Sequence, residues 1–153
     1  MTPREFLNIA VKPNLADAAA RPGDVRLALN AVHAVDALAA HIAFATPGSH
    51  AVDFDLKYRN LLAAAYPDFR ALRDLAKPTR HVRLSRGGTR AGNADQGLIQ
   101  GFGFGFATGF AQDAFGVSDA VVVRTAAGSL DSVVVIAQNA LAILEAEMAL
   151  YGL

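Results

Sequence analysis

The chain has 153 residues, no cysteine and a formal net charge of zero at neutral pH. At this length folding hides roughly 70% of the unfolded chain's surface, so one core needs no covalent staple. The lack of thiols excludes disulfides, thiolate nucleophiles and cysteine-based zinc sites. Apolar residues make up 53%, with much alanine, and charged residues only 18%, which predicts closely packed helices and either a large buried fraction or a surface covered by a partner.

The absence of cysteine fits a reducing compartment, and the expected location is cytoplasmic. Met1-Thr2-Pro3-Arg4-Glu5 does not read as a secretory signal, because an acid arrives at once and no long apolar run follows. The most apolar stretch, 133–144, is broken by Gln138 and Asn139, so no membrane span is expected. Charge is uneven along the chain. Arg70, Arg73, Lys77, Arg80, Arg83, Arg86 and Arg90 face only Asp74 within 70–90. From residue 91 onward Asp95, Asp113, Asp119, Asp131, Glu145 and Glu147 face only Arg124.

In chain order, Thr2-Pro3-Arg4-Glu5 predicts a helix start with a capping box, and Pro13 is expected to end that helix. A short helix over 15–20 precedes the Arg21-Pro22-Gly23 turn. Asp24 is expected to cap a helix over 25–45, where Leu27, Ala31, Val35, Leu38 and Ile42 form an apolar stripe. Arg26, Asn30, His33 and His41 lie opposite, with Asp36 beside them. Asp53 is expected to cap a helix reaching Tyr66, and Pro67 starts another with Phe69, Leu72, Leu75 and Ala76 inward. Pro78 should end or kink it. Residues 85–95 read as a loop.

The segment 101–106 alternates Gly and Phe strictly. As a strand it puts Phe102, Phe104 and Phe106 on one face and glycine on the other. Such a bare glycine face admits a second backbone or helix closely. A second strand is expected at 120–125, around Val121-Val122-Val123. A closing helix over 131–151 carries the seam Val134, Ala137, Leu141, Leu144 and Met148, and Gly152 ends it. The predicted class is α+β and mostly helical: a helical bundle over 1–84, a loop and small antiparallel β insertion over 85–126, and a long C-terminal helix. A single domain over 1–153 is expected.

On a helix, Arg70, Arg73, Lys77 and Arg80 share one side, and Arg83 and Arg86 extend the run. Such a stripe attracts phosphate through charge and released counterions. A solvated face partly paired with the acidic C-terminal part is the bland alternative. No aromatics interleave the run, so base stacking has no support. Asp74, Lys77 and His81 fall close to one line if the helix survives Pro78. A carboxylate can orient an imidazole, and neighbouring cations can stabilise a developing phosphorane charge. The candidate catalytic residues are therefore His81, Asp74 and Arg73, set against a salt-bridge cluster at a helix break.

An aspartate and a histidine seven residues apart at a helix end, two upstream helices, and a later hairpin with a long helix resemble small prokaryotic HEPN-like helical bundles. That family includes ribonuclease toxins. The resemblance covers about residues 24–84 and 131–151 and implies metal-independent RNA cleavage with Arg73 and His81 as its carriers. The family pattern has four to six residues between Arg and His, whereas seven separate Arg73 from His81 here and Pro78 intervenes.

His33 and His41 share a helix face but lie about 12 Å apart, too far to chelate one ion by themselves. His50, Asp53 and Asp55 could ligate from a loop, although capping explains Asp53 more simply. Gly103, Gly105 and Gly109 do not have phosphate-loop spacing. No metal or cofactor is expected. Two function classes remain. The favoured one is a non-catalytic interaction or homo-oligomeric assembly protein that uses Phe102, Phe104 and Phe106. The other is a HEPN-like nucleic-acid-binding or RNA-cleaving domain that uses Arg70, Lys77, Arg80, Arg83 and Arg86.

Overall fold

The computed structural model describes residues 1–46, 53–80, 120–124 and 130–153. Thr2 opens the first helix as the sequence predicts. Its Oγ1 accepts from the Glu5 amide at 3.2 Å, and its own amide donates to Glu5 Oε2 at 2.8 Å. The helix then departs from expectation at Pro13. Helix α1 (Pro3–Phe6) passes through one wide π turn (Leu7–Val11) into α2 (Lys12–Ala20) without a break. The wide turn bonds the Lys12 amide to the Leu7 carbonyl, five residues back. Proline has no amide to continue the ladder. The Asn14 side-chain amide also donates to the Ala10 carbonyl, at 2.8 Å.

Helix α3 (Val25–Ala45) is central and touches α2, α4, α5 and α6. Asp24 caps it, with Oδ1 accepting from the Leu27 amide at 3.1 Å. The predicted stripe of Leu27, Ala31, Val35, Leu38 and Ile42 is buried. Burial also takes in Ala28, Val32, Ala34, Ala39 and Ala43, because α3 is packed on several sides.

Helix α4 (Phe54–Ala65) starts after Asp53, whose backbone is left-handed at φ 67°. Asp53 makes no side-chain cap bond, contrary to expectation. Its carbonyl accepts from Lys57 at 2.9 Å, so the backbone alone supports the first turn. Helix α5 (Pro67–Arg80) buries Phe69, Leu72, Leu75 and Ala76, as predicted. It carries on past Pro78 to Arg80. A proline in the last turn costs one ladder bond and has little helix left to disrupt.

Strand β1 (Val122–Arg124) pairs antiparallel with β2 (Leu130–Ser132), in the register Val122 to Ser132 and Arg124 to Leu130. The second strand takes Asp131 and Ser132, which the sequence places at the start of the closing helix, together with Leu130 before them. Val121 anchors this small sheet: its amide donates to the Pro22 carbonyl at 2.8 Å and its carbonyl accepts from Val133 at 3.0 Å. Val121 and Val123 are buried while Val122 is half-buried, the alternation of a one-faced strand.

Helix α6 (Val133–Tyr151) buries its predicted seam of Val134, Ala137, Leu141, Leu144 and Met148 against α3 and α5. Gly152 ends it at φ 67°, and the Leu153 amide returns to the Met148 carbonyl at 2.9 Å. The described architecture is mostly helical with one two-stranded antiparallel sheet, as the sequence predicts. Both α3 and α6 are long and apolar enough to cross a membrane by length and composition, at mean hydropathies of 1.5 and 1.7. Central helices of a bundle meet the same test, and most of the apolar length of α3 is buried by its neighbours.

Candidate functional site

The described residues bring one group of charges together inside the protein, where α3, α4 and α5 meet. Asp36 on α3 is only 2% exposed. Across from it on α4, Arg59 donates Nη1 to Asp36 Oδ2 at 3.3 Å and Nη2 to Asp55 Oδ2. Asp55 and Arg59 are four residues apart with the acid first, the spacing that lets a helical acid and base meet. On α5, Arg73 is 6% exposed and donates Nη1 to Asn60 Oδ1 at 2.8 Å. Asp74 beside it is buried too, with Lys77 Nζ 3.8 Å from its Oδ1.

Sharing Arg59 between two acids has a consequence. A guanidinium can give one carboxylate two parallel bonds. Here the fork is split, and Asp55 Oδ1 and Arg59 Nε are left buried without a hydrogen-bond partner. Burial, with Arg59 close by, lowers the pKa of Arg73, and Asp36, Asp74 and Asp55 oppose that shift in part. Three carboxylates (Asp36, Asp55, Asp74) balance three cations (Arg59, Arg73, Lys77), so the cluster has no strong net field for either an anion or a cation.

The described part of the predicted basic stripe divides. Arg70 turns to the end of α4, where its Nε donates to the Ala63 carbonyl at 2.7 Å and Nη2 reaches that of Ala64 at 3.5 Å. Arg73 goes inward and Lys77 stays partly exposed. Arg80 is the last residue of α5. His81, Arg83, Arg86, Phe102, Phe104 and Phe106 lie outside the described residues. Of the three candidate catalytic residues, Arg73 and Asp74 are thus adjacent and buried.

Sequence reasoning missed the partners Arg59 and Asn60, and it set Asp36 beside the polar side of α3, whereas the packing of α4 and α5 buries it. The acid-to-base step from Asp55 to Arg59 was a visible signal on α4. The contact from Asn60 to Arg73 spans 13 residues and needs the α4–α5 turn to form. A second polar link joins α4 to α6, where the Tyr58 hydroxyl donates to Glu147 Oε2 at 3.2 Å. Burial, and then the Glu147 charge, push the Tyr58 phenol well above its ordinary pKa. His41 stacks on Phe6, with ring centroids 4.2 Å apart. Among the described residues no group of three or more histidine or acidic side chains is arranged to hold a metal.

Comparison with family models, with curated proteins and with solved structures finds no match for this chain.

Proposed function

We propose that the chain is a non-catalytic assembly protein that associates with copies of itself. The supporting observation is how the described surface divides. Arg59, Arg70 and Arg73 are bonded to groups of the chain itself, while Leu61 on α4 and Leu150 on α6 are 69% and 75% exposed. Leu56 on α4, Tyr66 just after its end, and Val135 and Tyr151 on α6 are also exposed. Isolated exposed leucines are ordinary, but two exposed large apolar side chains on α4 and three on α6 fit a surface that a partner covers. The alternating Phe102, Phe104 and Phe106, which the sequence predicts to share a strand face, belong to the same proposal as a further apolar contact. Light scattering at micromolar concentration should give the mass of two or more chains, and Leu61→Glu with Leu150→Glu should lower it. A monomer throughout overturns the proposal.

One observation favours a HEPN-like nucleic-acid or RNA-cleaving role as the second reading. Arg73 and Asp74 sit in a buried ionic setting with Arg59 and Asp36, of the kind that tunes groups at active sites. On that reading, RNA binds weakly and its affinity falls with salt. Arg80→Ala with Arg83→Ala flattens the salt dependence, and His81→Ala abolishes cleavage. No binding at low salt removes this role.

A further inference from the structure

Helix α4 is attached to the protein differently from its neighbours. Helix α3 buries eleven residues from Leu27 to Ala43, while α4 buries only Tyr58 and Leu62, with Phe54 and Ala63 half-buried. What links α4 to the other helices is largely polar. Arg59 reaches Asp36 on α3 at 3.3 Å. Asn60 accepts from Arg73 on α5 at 2.8 Å, and Tyr58 donates to Glu147 on α6 at 3.2 Å. The carbonyl of Ala63 accepts from Arg70 at 2.7 Å.

Polar ties of this kind hold only modestly, because water competes for every partner once the helix lifts. Two buried atoms among them, Asp55 Oδ1 and Arg59 Nε, would gain hydrogen bonds to water on opening. The start of α4 has no side-chain cap, and Asp53 there holds a left-handed backbone, a conformation aspartate tolerates better than most non-glycine residues. Local stability follows buried apolar contact, and α4 has little of it.

We propose that α4 is a polar-latched strap that opens as a unit while α2, α3, α5 and α6 stay folded, giving solvent and partners access to Asp36 and Arg73. This holds whether or not the chain self-associates. Native-state hydrogen exchange of the full chain in low urea tests it. Amides of residues 58–65 should exchange through an opening with a smaller urea dependence than the amides of Leu38 and Leu144. Tyr58→Phe keeps the ring and loses one latch, and Asn60→Ala loses another at the surface, so both variants should fold. Each should speed exchange of 58–65 by about two- to tenfold, the loss of one net hydrogen bond, and speed globally exchanging Leu38 and Leu144 by the same factor, because both openings start from the same docked state. Leu15→Ala, buried on α2, which packs with α3 and α6, weakens the part that stays folded in both states, so it should speed Leu38 and Leu144 and leave 58–65 unchanged. The proposal fails if wild-type 58–65 shares the urea dependence of Leu38. It fails equally if Leu15→Ala speeds 58–65 together with Leu38 and Leu144.

Discussion

Arg59 holds Asp36 from across the α3–α4 boundary, with Nη1 3.3 Å from Oδ2, and gives its other amino group to Asp55 on its own helix. Neither partner of the cross-helix pair is well exposed, at side-chain values of 17% and 4%. Taking two such charges out of water costs several kcal/mol per ion before their attraction offsets it. The pair therefore adds little net stability, yet losing one member is expensive.

Arg59→Leu should destabilise the docked state of α4 by about 3 kcal/mol, since a buried carboxylate loses a cationic partner. Adding Asp36→Leu should recover much of that loss. The cost cannot exceed the free energy of releasing α4, because release solvates Asp36. Urea unfolding of the single variants and the pair measures the coupling. If the double variant loses the sum of both single losses, the two residues do not act together.

Arg73 and Lys77 lie one helical turn apart and should behave oppositely. Arg73→Ala removes a buried guanidinium bonded to Asn60 and should cost about 2 kcal/mol. Lys77→Ala removes a partly exposed cation 3.8 Å from Asp74 and should change stability by less than about 0.5 kcal/mol. Thermal unfolding separates the two. Equal losses would mean that the Arg73 setting is no more demanding than the surface.

Much of the core was legible because one-sided helices advertise it. The α3 stripe and the α6 seam follow from three- and four-residue steps, and each side chain named for them is buried. Local rules failed where a distant contact decided. Pro13 reads as a stop, but the π turn ahead of it keeps the helix going and the core takes Val11 and Leu15. Asp131 and Ser132 read as a helix start, yet β1 and the Val121 anchor hold them in a strand with Leu130. Arg73 and Asp74 stood out in the sequence. Their burial did not, because Asn60 and Asp36 come from other helices.

Phe69 is fully buried where α5 meets the core. Phe69→Ala should cost about 3–5 kcal/mol through lost transfer energy and the cavity left behind. Leu61→Ala, on the exposed side of α4, should be nearly neutral in dilute solution. Denaturant midpoints compare them, and a large loss for Leu61→Ala would place that side chain against something in the isolated chain.

The Tyr58 hydroxyl gives a pH test of the α4–α6 link. Its pKa is raised from an ordinary value of 10, first by burial and then by Glu147. A phenol with a raised folded-state pKa gives stability that is full below its unfolded pKa and is lost as pH climbs toward the folded value. Above pH 10 the unfolded chain sheds the Tyr58 proton and the docked helix does not, so unfolding becomes easier with each further rise. Tyr58→Phe removes this ionisation. Its stability should therefore fall less steeply than wild type across the alkaline range, although it starts lower for want of the bond to Glu147. Urea unfolding on both sides of pH 10, with phenolate absorbance followed in parallel, gives the comparison. Equal alkaline slopes for the two proteins would mean that Tyr58 ionises in the folded protein as it does in water.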